Sequence, residues 1–185
     1  MTLPVGLPLR SHFSDLVGDK ITLSIFNVED ITHDYVGWLN DLVVVRFSNQ
    51  RFYTHTLETC TIFISNFINS PNLFLKITRK SDGMLLGTMT AYYSAHHRTV
   101  DMGIMLGCRT VWGCGIGQDA WDTLLFWLLG LSSVRKVNAG AMRCNIAMVK
   151  VIERSGMVLE AIRQEQELLD GVPQDLLYFG KMSGY

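Results

Sequence analysis

The stretch Arg109-Thr-Val-Trp-Gly-Cys-Gly-Ile-Gly-Gln118 joins a predicted strand to a predicted helix. Its alternating glycines permit left-handed backbone angles and let a ligand approach the main chain closely. Successive N–H groups in such a turn point toward one place, at the positive end of the helix dipole. The pattern predicts a phosphate-binding turn. Its candidate binding residues are Trp112, Gly113, Cys114, Gly115, Ile116 and Gly117.

Four interpretations of this turn compete. A P-loop requires Gly-Lys-Ser/Thr at its end, and here Gln118 follows Gly117, so that interpretation fails. A dinucleotide-binding fingerprint requires G-x-G-x-x-G in a first βαβ unit, whereas this G-x-G-x-G lies after residue 110. The turn resembles a variant, W-G-x-G-x-G/A, of the loop that holds the pyrophosphate of an acyl-coenzyme A. The remaining interpretation is a flexible strand-to-helix turn that binds nothing.

Hydrophobic periodicity and turn residues predict the elements around this turn, in the order β-α-α-β-β-β-α-β-α-β-β. The predicted strands cover residues 20–26, 73–79, 84–93, 99–106, 135–142, 158–167 and 176–182. The predicted helices cover residues 33–42, 56–68, 117–129 and 146–155. Hairpins favour antiparallel pairing, and strands separated by helices allow parallel pairing. We therefore predict an α/β fold (α+β mixed sheet) of six to seven strands, flanked by helices on both faces.

Composition narrows the class of protein. The 185 residues are 48% hydrophobic and 18% charged, with a net charge of −1 and a mean hydropathy of +0.20. These values exclude disorder, and 16 basic against 17 acidic residues argue against a nucleic-acid partner. The apolar run at 124–131 is far shorter than the ~20 residues of a membrane span, so we expect no membrane partner. The first residues lack the pattern of a secretion signal, so we expect a cytoplasmic protein.

The sequence predicts one domain over residues 1–185, with a tail over 1–19 and a core over about 20–182. There is no internal repeat and no linker. The four cysteines, at 60, 108, 114 and 144, lack C-x-x-C spacing and a histidine cluster that would complete a zinc site. We expect free thiols in a reducing compartment and no metal.

Four further segments carry motifs in a consistent order and spacing. Residues 145–157, which begin with Asn145 and end in Glu-Arg-Ser-Gly-Met, resemble the element N-x-x-S/A-x-x-x-x-E-K-x-G-F of the GNAT superfamily of N-acetyltransferases. Residues 100–104 (VDMGI) resemble its E-I-G-I strand, and 38–41 (WLND) its W-L-x-D segment. Residues 156–163 (GMVLEAIR) resemble its G-F-x-x-E-G-x-x-R ending. The resemblance covers roughly residues 20–182 and looks most like the RimJ/RimL-type group.

The resemblance implies a single-domain GNAT fold, a V-shaped mixed sheet with acetyl-CoA in the split between two central parallel strands. It implies that backbone groups of Ile104, Met105 and Leu106 hold the pantetheine arm and polarise the thioester carbonyl. It gives Asp101 a role in deprotonating the amine, commonly through water, and gives Asn145 a hydrogen bond to the pantetheine arm. On the residues alone, Asp101 is equally well a solvated carboxylate at a strand edge, and Asn145 is a good helix N-cap.

The chain departs from the family where many relatives carry a proton donor for the leaving thiolate. Met148 and Ile152 occupy those positions, and neither can donate a proton. A thiol of pKa ~8.5 leaves fairly well without an acid. Tyr92, Tyr93 or Tyr178 could substitute, although packing is the simpler role for each.

Residues 46–55 lie between the two early helices, in the region that lines the acceptor side of the resembling group. Arg46 and Arg51 suit phosphates or carboxylates, and Tyr53 and Tyr92 suit a base or a sugar. An ordinary surface loop is the alternative interpretation.

The resemblance therefore implies transfer of an acetyl group from acetyl-CoA to a primary amine by direct attack in a ternary complex. We expect a small amine as acceptor, such as an amino sugar linked to a nucleotide. The alternatives are the α-amine of a protein, as in ribosomal-protein acetyltransferases, and an acyl-CoA-binding module without catalysis. The sequence leaves a homodimer open.

Overall fold

A computed structural model describes residues 9–184, which form one mixed sheet with helices on both faces. The sheet has spatial order β1-β2-β3-β4-β5-β6-β8-β7. The strands are β1 (Leu16–Val17), β2 (Ile21–Ile25), β3 (Leu73–Arg79), β4 (Leu85–Ser94), β5 (Thr99–Leu106), β6 (Lys136–Met142), β7 (Val158–Leu169) and β8 (Val172–Met182). The α-helices in the described chain are α1 (His33–Asn40), α2 (Leu57–Ile68), α3 (Ile116–Leu129) and α4 (Ile146–Arg154).

The predicted fold class is confirmed, with two corrections to the strands. The sheet has eight strands because Leu16–Val17 pairs with β2 inside the segment expected to be a tail; its residues 1–8 lie outside the described part. Two residues are too few to give a periodic pattern. The last strand begins at Val172 rather than at Leu176. Asp170 and Gly171 both have positive φ, 52° and 79°, so they complete a two-residue hairpin turn by themselves.

Each face of the sheet covers its own core. On one face α3 packs with Trp121, Leu124, Leu125 and Leu128 fully buried, so the apolar run at 124–131 contributes to the core side of this helix. On the other face α1 and α2 cover a second cluster that includes Tyr35, which is 2% exposed. No helix between residues 9 and 184 has both the length and the apolarity needed to cross a membrane.

Helix α1 is held against the end of β5 by Trp38. The Trp38 ring lies where a Cβ at the buried Gly107 would be, so only glycine fits at this position. Asp41, just after α1, forms an ion pair with Arg109, with 3.5 Å between its carboxylate oxygen and a guanidinium nitrogen. The W-L-N-D segment therefore joins α1 to the beginning of the glycine turn, defined here as residues 109–118.

Replacing Gly107 by alanine should lower the free energy of unfolding by about 1–3 kcal/mol, because the new methyl group overlaps the Trp38 ring. Gly37 provides the matched control. It is exposed in α1 with nothing within 4 Å of its Cβ position, so Gly37→Ala should raise the free energy of unfolding by roughly 0.5–1 kcal/mol. Urea unfolding of both variants measures the two effects. Equal stability of the two variants would contradict the packing described for Trp38.

Candidate active site

The central feature of the sheet is a split between β5 and β6. These strands pair in parallel over only four residues, and the last pair is Met102 with Ala139. Beyond it, β5 continues along β4 to Leu106, while β6 continues along β8 to Met142. Helices α3 and α4 follow these two strands, so the split opens toward the N-terminal ends of both helices.

Backbone groups of β5 line one wall of the split. The Gly107 N–H donates to the Leu86 carbonyl at 3.0 Å. By the alternation of an antiparallel ladder, Ile104 and Leu106 then direct their N–H and C=O groups away from β4 and into the split. Met105 pairs with Thr88 and directs its backbone groups toward β4 instead.

The Leu106 carbonyl already has a partner. Trp112 in the glycine turn donates its indole Nε1–H to this oxygen at 2.9 Å. Of the three backbone positions expected from the sequence, Ile104 therefore presents both groups to the split and Leu106 keeps its N–H. Met105 contributes its side chain, on the α1–α2 face, rather than its backbone.

The glycine turn leaves the start of α3 without a cap. Gly113 and Gly115 have φ of 76° and 83°, and Gly115 is the N-cap residue of α3, where it has no side chain to offer. The other α-helices in residues 9–184 are capped by the side chains of Thr32, Thr56 and Asn145. The first amides of α3 therefore lack a side-chain acceptor at the positive end of the helix dipole, which suits a phosphate.

A lysine that the sequence analysis missed lies beside this turn. Lys20 donates its ammonium to the Cys114 carbonyl at 2.8 Å, and its Nζ is 3.3 Å from the Cβ position of Gly115. The Asp119 carboxylate fixes the approach by accepting the backbone N–H groups of Asp19 and Lys20 at 3.0 and 2.7 Å. Nothing in the sequence near Lys20 signals this proximity, which arises from packing of the β1–β2 turn on α3.

Asn145 lies at the opposite wall of the split. Its side-chain oxygen accepts the Met148 N–H at 3.3 Å and so caps α4. The side-chain NH2 of Asn145 makes no hydrogen bond within residues 9–184 and is available as a donor. Met148 packs against the main core, and Ile152 is fully buried. Neither side chain carries an acidic hydrogen, so neither can protonate the leaving thiolate.

A cavity of about 480 Å³ lies on the α1–α2 face, beside the split. Its floor consists of alternate residues of β4 and β5, with Thr88 opposite Met105 and Thr90 opposite Gly103. Helices α1 and α2 and residues 48–55 surround it. The remaining lining residues are Tyr35, Leu39, Ser48, Gln50, Tyr53, Thr54, His55, Thr59, Cys60, Phe63, Phe74, Met89, Tyr92 and Ile104.

The predicted acceptor-binding residues separate into two groups. Tyr53 and Tyr92 line this main cavity. Arg46 and Arg51 do not, because Arg46 pairs with Asp170 at 2.6 Å and Arg51 donates to the Leu168 carbonyl at 3.1 Å. Both guanidinium groups are thus bound to the tip of the β7–β8 hairpin rather than directed into the main cavity.

Asp101 lies at the edge of the cavity rather than in its lining. It is exposed and pairs across the strands with Tyr92 on β4 and with Asn138 on β6, so the three side chains share one face. Burial raises the pKa of the Tyr92 hydroxyl, which therefore stays protonated at neutral pH.

The two other tyrosines considered as acids lie elsewhere. Tyr93 is on the opposite face, where its hydroxyl donates to the Ser133 carbonyl at 3.0 Å, so it is unsuited to the role. Tyr178 lines a second, smaller cavity of about 230 Å³ beside β6, together with Gly140 and Glu167.

Comparison with solved structures shows the same fold in several acetyltransferases. Spermidine N-acetyltransferase from Vibrio cholerae, solved with CoA and spermine, superposes with a TM-score of 0.79 at 16% identity, over 89% of this chain and 96% of that one. Ribosomal-protein-S5-alanine acetyltransferase from Vibrio fischeri gives 0.75 at 14% identity, over 92% and 97%. The microcin C7 self-immunity acetyltransferase MccE, with acetyl-CoA and AMP, gives 0.77 at 19%, over 89% and 93%.

No curated protein sequence matches the chain significantly. The family model described as an acetyltransferase (GNAT) domain matches residues 20–158, which include the glycine turn, both walls of the split and the start of α4. That match covers well over half of the sequence and agrees with the superfamily resemblance of its motifs. The chain belongs to the GNAT acetyltransferase family and is an acyltransferase.

Proposed function

We propose that this protein transfers an acetyl group from acetyl-CoA to the primary amine of a small molecule, by direct attack in a ternary complex. One observation carries the proposal. Ile104 directs its backbone N–H and C=O into the split and also lines the main cavity, so the two spaces meet at one residue. A donor thioester in the split and an amine in the cavity can therefore reach the same point.

The glycine turn would hold the pyrophosphate of the donor. The uncapped amides at the start of α3 supply hydrogen bonds without a mobile side chain, and the Lys20 ammonium adds one positive charge beside Gly115. The Asn145 side-chain NH2 and the free backbone groups of β5 would hold the pantetheine arm along the split. The CoA complexes of the V. cholerae enzyme and of MccE support this placement by analogy of fold.

Acetyl transfer by direct attack requires few side chains. As the amine nitrogen bonds to the carbonyl carbon, negative charge grows on the thioester oxygen, and the Ile104 N–H is suitably oriented to stabilise it. The C–S bond then breaks, and the electron pair leaves with sulfur. The proton lost by nitrogen passes through water to Asp101 at the cavity edge, and the thiolate takes a proton from Tyr92 or solvent.

The acceptor side argues for a small amine and against one linked to a nucleotide. Arg46 and Arg51, on which phosphate recognition was expected to depend, are bound to the β7–β8 hairpin. A protein α-amine remains the second acceptor class, and a set of amines and N-terminal peptides in one CoA-release assay separates the two. CoA binding with no release by any of them would indicate a binding module without catalysis.

Replacing Gly115 by valine should weaken CoA binding at least ~30-fold, because a β-branched residue is strained at φ 83° and displaces the amides that face the pyrophosphate. Isothermal titration with CoA measures the loss. Gly83→Val is the matched control, since Gly83 has a similar φ of 72° in the β3–β4 hairpin turn, with nothing within 4 Å of its Cβ position. Equal loss of CoA affinity in both variants, or in neither, would remove the glycine turn from the CoA site.

Asp101→Asn should lower kcat/KM for the amine ~100-fold at pH 7 while CoA affinity stays unchanged, because the proton of the attacking amine loses its acceptor. The deficit should shrink as the pH approaches the pKa of the amine, where free amine becomes abundant. Rates between pH 6 and 10 test this, with Asp34→Asn in the first turn of α1 as an exposed carboxylate control. A deficit that is constant over that range would exclude Asp101 as the base.

A further inference from the structure

The main cavity has no permanently charged side chain in its lining. Of the lining residues within the described chain, none is Asp, Glu, Lys or Arg, although such residues make up 18% of the sequence. The one histidine, His55, has its ring Nε2 3.2 Å from the Gln50 carbonyl, so this nitrogen is already engaged as a donor. A second charge on a bound molecule would therefore meet no carboxylate, ammonium or guanidinium group in this lining.

Two buried hydroxyl groups face this space without a partner. Tyr35 and Thr88 are 2% and 4% exposed, and neither hydroxyl makes a hydrogen bond to any residue in 9–184. The side-chain polar atoms of the described chain that are both fully enclosed and without a partner belong to Gln118, Trp121 and Asp122. The hydroxyls of Tyr35 and Thr88 are not among them, so they are not fully enclosed. The hydroxyls of Tyr35 and Thr88 thus keep access to the cavity that both residues line. A buried hydroxyl without a partner is costly, so these two are suited to a polar group on a ligand.

Two phenylalanine rings line the end of the cavity far from the split. Phe74 on β3 and Phe63 on α2 meet edge to face, with ring centroids 5.4 Å apart, and both line the cavity. From Ile104 on β5 to Phe74 on β3 is two strand spacings, or roughly 10 Å. This is about the length of an aromatic ring joined to an amine by a two-carbon chain.

We propose that the acceptor is an arylalkyl amine whose body carries no second charge and bears a hydroxyl group at its far end. This inference rests on the proposed function, since it places the amine beside Ile104. The ring lies against Phe63 and Phe74, and its hydroxyl bonds to Tyr35, which packs on Phe26 beside Phe74. Thr88 lies opposite Met105, one strand from Ile104, so its hydroxyl faces the amine end instead.

The same chemistry favours reaction and excludes competitors. An apolar surrounding lowers the pKa of a bound amine, which helps the nitrogen to lose its proton before attack. Burial raises the pKa of the Tyr35 hydroxyl and the Cys60 thiol by the same mechanism, by favouring their neutral forms. A carboxylate, a phosphate or a second ammonium on the acceptor would instead be desolvated without compensation.

Five amines test the proposal in an assay of CoA thiol release: tyramine, phenethylamine, tyrosine, spermidine and glucosamine 6-phosphate. We expect kcat/KM for tyramine to exceed that for each of the last three by ~100-fold or more, because each of them carries an additional charge. Tyramine and tyrosine differ only by the carboxylate, so their ratio isolates the effect of charge. Preference for any of the three charged amines would overturn the inference and leave the acetyltransferase proposal intact.

The hydroxyl contact has its own matched comparison. Tyramine and phenethylamine differ only by one hydroxyl, and tyramine should be the better acceptor by ~10-fold. Tyr35→Phe should reduce this ratio toward one, because the variant lacks the hydroxyl that meets the phenol of tyramine. Thr88→Val is the matched control, since Thr88 lies at the amine end and its loss should affect tyramine and phenethylamine equally. Retained CoA affinity shows that each variant is folded. An unchanged ratio in Tyr35→Phe would refute the hydroxyl contact. If none of the amines or N-terminal peptides releases CoA from protein that binds it, the proposed function fails as well.

Discussion

The parting of β5 from β6 after four residue pairs is the constraint on which the rest of the site depends. A continuous sheet would satisfy the backbone groups of Ile104 and Leu106 with those of β6, and no acyl donor could enter. Beyond the split each strand remains paired on its outer side only, β5 with β4 and β6 with β8. The Trp38 ring on Gly107 and the Trp112 indole on the Leu106 carbonyl then fix the free end of β5.

The site works with dipoles more than with charges. Backbone amides face the split and the pyrophosphate position, hydroxyl groups face the cavity, and the Lys20 ammonium lies at the glycine turn. The net charge of −1 is consistent with this use of dipoles, because a chain that is nearly neutral overall exerts little long-range attraction on a charged ligand. Recognition then depends on exact positions of neutral groups. The helix starts follow the same division. Neutral side chains cap α1, α2 and α4, whereas α3 begins at a glycine and leaves its first amides for a ligand.

The elements and the glycine turn could be predicted because their signals are local. Periodicity marks the helices, and glycines mark the turn. Contacts between distant segments leave no such signal. Lys20 reaches the glycine turn through Asp119, which is 99 residues away, and Arg46 turns from the cavity to Asp170, which is 124 residues away. The sequence favoured Arg46 and Arg51 as ligands because guanidinium groups suit phosphates, but the hairpin tip offers a carboxylate and a carbonyl closer by. The backbone groups of Met105 face β4 rather than the split for a different reason. The edge of a strand that a backbone group faces depends on the register of the strand, and the register is set by the partner strand.

The attachment of Arg46 and Arg51 to the β7–β8 hairpin has a consequence for how substrates arrive and leave. Residues 48–55 form one wall of the main cavity, and their neighbours Arg46 and Arg51 are anchored on a strand pair whose outer member, β7, is exposed along nearly its whole length. The cavity wall is therefore tied to the far edge of the sheet by two polar contacts. A change at that edge that displaced the wall would alter how fast the acceptor arrives and leaves, although the edge takes no part in the chemistry.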